Sequence, residues 1–114
     1  MLLEPEEKVH VVTRRNFDGD LRRHFAGRVI HASETTARIE GYVFVYDPNS
    51  SSFVRRTNKR TRLVSLTDAS NVINVLPRLV NLDQLAYRTN EQGRLVVSDG
   101  LSFEMDINEF GREC

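Results

Sequence analysis

The chain reads as an all-β protein with at most one short helix, its strands curled into a small, strongly bent barrel that is followed by a C-terminal β-hairpin extension. Three observations predict this. β-branched and aromatic residues gather in short runs at 9–13, 21–31, 37–46, 53–56, 62–66 and 71–76. Turn-favouring pairs separate the runs, among them Asp18-Gly19, Asp47-Pro48 and Asp99-Gly100. The only helical candidate, 81–86, allows one or two turns behind Asn81 as a cap. A chain of 114 residues has room for one core, so 1–114 is read as a single domain. Within it, 1–7 is a loose segment, 8–77 the barrel and 78–114 the extension.

Each element has its own reason. The run at 9–13 and the turn at 16–20 predict a hairpin into 21–31. Alternation in that second run sets Phe25, Gly27 and Val29 on one face and Arg22, His24 and Arg28 on the other, as for a strand with one buried and one wetter side. The third run sends Ile39, Val43 and Val45 one way and Tyr42, Phe44 and Tyr46 the other, which predicts a central strand covered on both sides. Gly41 offers that strand a place to bend. After the loop at 47–52, runs 53–56 and 62–66 are expected to pair with each other around the basic turn 57–60. The run at 71–76 stops at Pro77, which cannot donate to a ladder.

Beyond the helical candidate, the turn Asn90-Glu91-Gln92-Gly93 introduces 95–98, the first arm of a hairpin returning through Asp99-Gly100 into 101–107. There Leu101, Phe103, Met105 and Ile107 alternate with Ser102, Glu104 and Asp106, predicting one wet face. Strands so closely spaced, in so short a chain, hide their edges best by curling.

Composition narrows the function classes. Hydrophobic residues make up 39% and charged residues 28%, without low-complexity tracts, so the chain is expected to fold rather than stay disordered. No apolar run approaches the ~20 residues of a membrane helix, and no membrane partner is expected. The opening residues are acidic and include Pro5, the reverse of a secretion signal. Cys114 is the single cysteine, so no internal disulfide or Cys/His metal cluster is expected, and a cytoplasmic setting fits.

The zero net charge conceals an uneven distribution. Residues 14–62 hold eleven basic against five acidic groups, while both flanks are acidic. Arginine outnumbers lysine fourteen to two, and the pairs Arg14-Arg15, Arg22-Arg23 and Arg55-Arg56 fall at strand ends or turns, where guanidinium groups can grip phosphate in a bidentate fashion. Tyr42, Phe44 and Tyr46 offer rings for base stacking in the same half. The candidate contacts to nucleic acid or another anion are Arg22, His24, Arg28, Arg55 and Arg56.

Catalytic signals are weaker. His24 and His31 lie on opposite faces of one expected strand, and His10 sits on another without a Glu or Cys at ligand spacing. No Gly-x-Ser-x-Gly elbow and no Gly-rich loop leading into a helix occur, so no cofactor is expected. Glu104 and Asp106 share a strand face, which keeps a small hydrolase as a remote alternative.

Phe25-Ala26-Gly27-Arg28-Val29, in a long strand after Phe17-Asp18-Gly19, resembles the second-strand signature of the Sm-like family. Ser70-Asn71-Val72-Ile73-Asn74-Val75 is similar to the closing strand of that family, and the resemblance covers roughly residues 8–77. It implies a five-stranded bent barrel of the Sm-like or SH3-like kind that assembles into a ring through edge strands. The family's RNA-contacting Asp and Asn have no counterpart at 33–37, nor has its Arg-Gly pair at Asp68-Ala69. The expected function is therefore a non-enzymatic binding or assembly module, a homo-oligomer touching single-stranded nucleic acid through its basic middle. The alternative is a protein–protein adaptor or regulatory domain without nucleic-acid binding.

Overall fold

The computed structural model describes residues 2–14, 22–101 and 103–107. It is all-β, with two antiparallel sheets and no α-helix among the described residues. Strands β1 (Lys8–Thr13), β2 (Arg23–Ala32), β3 (Thr36–Asp47), β4 (Ser52–Arg55), β5 (Arg60–Ser65) and β6 (Asn71–Val75) form the first sheet, in the order β4-β3-β2-β1-β6 with β5 also on β3. Strands β7 (Ala86–Thr89), β8 (Leu95–Ser98) and β9 (Glu104–Asp106) form the second. The expected β1–β2 hairpin pairing runs from Lys8 opposite Arg28 to Thr13 opposite Arg23, while the turn at 16–20 lies outside the described residues.

The first sheet curls on itself, and neither sheet closes into a barrel. Val9, Val11, Phe25, Val29, Ile39 and Val43 all leave one face of it and pack together with Ala32, Ala37 and Leu3. The bend falls where Gly27 pairs with Gly41. A Cβ on Gly27 would lie 2.3 Å from the Glu40 carbonyl oxygen, and one on Gly41 only 1.9 Å from that of Ala26, so the two backbones approach where no side chain fits. Closure fails at β5 and β6. The chain crosses that gap in the loop 66–70, anchored by Leu66 N–H to Thr35 O and by Arg14 N–H to Ser70 O, both 2.8 Å, and β6 then joins β1 instead of β5.

The expected pairing of 53–56 with 62–66 is corrected. Both β4 and β5 run antiparallel to β3, against opposite halves of it, and so form one long interrupted strand. Phe44 pairs with Arg55 and Gly41 with Arg60, so Tyr42 and Val43 face the longer stretch from Arg56 to Lys59. That stretch is an insertion in a ladder, not a reversal.

The second sheet covers the other face of the first. Ala26, Phe44, Phe53 and Leu76 pack against Val80, Leu85, Tyr87, Leu95, Val97 and Ile107. This overturns the expected wetter side of β2, where His24 and Ala26 are as deeply buried as Phe25. The extension has three strands instead of a hairpin, because β7 precedes the turn at 90–93 and pairs with β8. Residues 82–84 form a single 3-10 turn capped by Asn81, whose side chain accepts from Asp83 N–H. The segment before β1 is tied down as well: Leu3 is buried, and Glu6 N–H and Val29 N–H bond to Val29 O and Glu7 O.

Candidate functional site

Alternation along two strands, β2 and β5, aims arginines into the open end of the curled sheet. Arg23 shares the inner face of β2 with Phe25, and Arg60 and Arg62 share that of β5 with Val64. Val43 and Val45 supply the floor from β3, with Arg23 directly opposite Val45. The insertion between β4 and β5 adds Arg56, its N–H held by Val43 O at 2.8 Å. Arg23, Val43, Val45, Arg56, Arg60 and Arg62 together line a cavity of about 300 Å³.

Electrostatically this mouth is unbalanced. Among the described residues no carboxylate lines it, and Arg23, Arg56, Arg60 and Arg62 make no ion pair. Arg62 lies over the Phe25 ring, 5.6 Å from its centroid. Partial burial, with Arg60 and Arg23 alongside, lowers the proton affinity of its guanidinium below the ordinary value. Cations crowded over an apolar floor create a strong positive potential, and an anion there relieves it.

The sequence-selected residues do not meet in one site. Arg56 belongs to the mouth. Arg22 stacks over Tyr46 at 4.7 Å, and Arg55 lies 4.6 Å over Tyr42 while donating to Asp83 O at 2.6 Å. Arg28 is paired with Glu6 at 2.7 Å and with Glu40 at 3.5 Å. His24 is 2% exposed and is closed off from any ligand. Tyr42, Phe44 and Tyr46 point away from the mouth: Phe44 packs under the second sheet, and the Tyr42 hydroxyl donates to Asp83 at 2.9 Å. Arg23, Arg60 and Arg62 are not among the sequence candidates, although their even offsets, two from Phe25 and two and four from Val64, carry the signal.

Two other concavities have different chemistry. A cleft of about 460 Å³ brings Lys8, Arg28, Glu40, Tyr42 and Lys59 near the loop 78–83, but its charges are largely satisfied internally. Lys8 Nζ donates to the carbonyls of Arg78 and Val80 at 2.7 and 2.6 Å, and Lys59 lies 3.9 Å from Asp83. An apolar groove of about 520 Å³ is lined by Leu2, Leu3, Leu66, Ile73 and Val75. Neither offers a surplus of charge comparable to the mouth.

The histidines build a buried staple. Tyr87 Oη lies 2.6 Å from His10 Nε2 and 2.5 Å from His24 Nδ1, so one hydroxyl joins β1, β2 and β7. His10 Nδ1 is buried without a partner, which assigns the protons: His10 Nε2–H donates to Tyr87, and the Tyr87 hydroxyl donates to His24 Nδ1. The opposite direction would strand an N–H, costing ~1–3 kcal/mol. Burial pushes His10 down to about 4, and burial, with His10 beside it, pushes His24 down to about 3.

On β9, Glu104 pairs with Arg88 at 3.1 Å and Asp106 with Arg94, so each carboxylate serves a surface ion pair. No helix among the described residues is long and apolar enough to cross a membrane. Comparison with family models, with curated proteins and with solved structures gives no match.

Proposed function

We propose that this protein is a non-enzymatic binding module that holds single-stranded nucleic acid at its arginine-lined mouth and works as a homo-oligomer. The observation that carries this reading is the convergence of Arg23, Arg56, Arg60 and Arg62, with no carboxylate among the described residues, on one cavity lined also by Val43 and Val45. Guanidinium groups bind phosphate oxygens in pairs and also stack on bases. A cavity of about 300 Å³ admits part of a single strand and no duplex.

The strand order, with β4 and β5 read as one interrupted strand, supports an Sm-like or SH3-like relationship for the bent sheet. In this proposal the unclosed edges at β5 and β6, with Leu63 and Val75 exposed beside them, pair between subunits.

Fluorescence anisotropy with single-stranded RNA and DNA oligonucleotides between 50 and 300 mM salt tests the binding part, in a range where phosphate contacts lose affinity by roughly 10³–10⁵ when they are many. Binding that weakens steeply with salt, and weakens further in Arg60→Ala/Arg62→Ala, is expected. Absence of binding at 50 mM salt removes the nucleic-acid reading and leaves a protein–protein adaptor. Light scattering tests assembly, and a monomer at every concentration removes that part.

A further inference from the structure

Resting on the nucleic-acid reading, and narrowing it, we infer that the mouth captures a terminal phosphate, so that the protein recognises the phosphorylated end of a single strand instead of a passing stretch of backbone. Two features argue for an end.

The first is shape. The cavity is small, about 300 Å³, and its inner side meets the packed interior of the curl. Its inner side is stopped by Phe25 and Val43, and beyond them Val29, Ile39, Val9 and Val11 fill the curl at 0–5% exposure. A volume of that size suits one compact group, such as a terminal phosphate with its sugar, better than a length of chain. Val43 and Val45 are the apolar residues of the lining, which suits the sugar or base of a last nucleotide beside the arginines.

The second is charge. The four arginines converge on one small volume, where a track for backbone would space them along the strand. A bridging phosphodiester carries one negative charge, but a phosphomonoester carries about −1.5 to −2 near pH 7, with three oxygens free to accept. Bidentate contacts to those oxygens occupy two guanidinium groups at once. The monoester therefore matches the unpaired charge far better than an internal linkage does.

The experiment compares one ten-nucleotide single-stranded RNA sequence in three forms: 5′-phosphate, 3′-phosphate, and hydroxyl at both ends, each titrated by anisotropy in about 150 mM salt. At least one phosphorylated form is expected to bind about tenfold tighter than the hydroxyl form, and the arms identify which end is read. The gain should vanish in Arg60→Ala/Arg62→Ala and survive in Arg28→Ala, with thermal melts showing that both variants stay folded. Equal affinity for all three forms overturns end recognition and leaves the strand-binding reading standing. No affinity for any of them, at 50 mM salt as well, overturns both.

Discussion

Tyr87 Oη and His24 Nδ1 lie 2.5 Å apart across the seam between the two sheets, and His10 closes on the same hydroxyl from the neighbouring strand. The second sheet is thus held by a polar contact set inside apolar packing, with Phe53 stacked on His24 at 4.2 Å and Phe44 edge-on to Tyr87 at 5.2 Å. Burial makes such a contact costly to break, because a lost partner leaves an imidazole nitrogen without water.

Replacing Tyr87 by Phe keeps the ring and removes only the hydroxyl. We expect a loss of about 2–4 kcal/mol, from the His10 N–H left without an acceptor and the His24 ring nitrogen left without its donor. Urea unfolding at pH 7.5 measures this. A change below ~0.5 kcal/mol would mean that the hydroxyl does not hold the seam.

Acid should loosen the protein before its carboxylates titrate. In the folded chain His10 and His24 protonate near 4 and 3, whereas unfolded histidine does so near 6.5. Above pH 6.5 both states are neutral and stability is flat on this account. Between about 6.5 and 4 the unfolded state binds the extra protons, so stability falls with pH by up to ~1.4 kcal/mol per unit for each imidazole. Urea midpoints at pH 7.5, 5.5 and 4.5 should decline in order, and a constant midpoint from 7.5 to 5.5 contradicts the neutral pair.

Gly41→Ala tests the bend. The added methyl would meet the Ala26 carbonyl oxygen at 1.9 Å, and that oxygen belongs to a paired strand that cannot step aside. A penalty of about 3 kcal/mol or more is expected from forced separation of the backbones. A thermal melt within 2 °C of the parent would show that the strands part easily.

Salt titration distinguishes the mouth from other basic surfaces. Each of Arg23, Arg60 and Arg62 changed to Ala should reduce the slope of log affinity against log salt by about 0.7, the single-strand value for one lost phosphate contact. Arg28→Ala should leave the slope unaltered, since Glu6 and Glu40 already occupy that side chain. Equal slope changes at all four positions would disperse the site over the surface.

The core was legible in the sequence and the site largely was not. Period-two alternation put Phe25, Val29, Ile39 and Val43 on one side, and those four do meet inside the curl. It failed at His24 because a polar residue on an alternating strand reads as solvated, and nothing local reveals that another sheet will cover it. Strand β7 was overlooked for a related reason. Tyr87-Arg88-Thr89 stands immediately before the turn at 90–93 and pairs across it, yet the helical pattern at 81–86 drew the assignment away. Without β7 there was no Tyr87, and without Tyr87 the histidines had no common partner. The arginine mouth needed the pairing of β5 with β3, which depends on contacts distant in sequence.

The insertion at 56–59 has an engineering consequence. Each half of the interrupted strand keeps its own alignment with β3, and Arg56, Thr57, Asn58 and Lys59 are all exposed, so the spacing between the halves is not dictated by either ladder. Foreign peptide, such as an affinity tag or a protease site, can be spliced between Thr57 and Asn58 while both halves stay seated. Cutting there would sever the chain and leave its two fragments clasped on the same template.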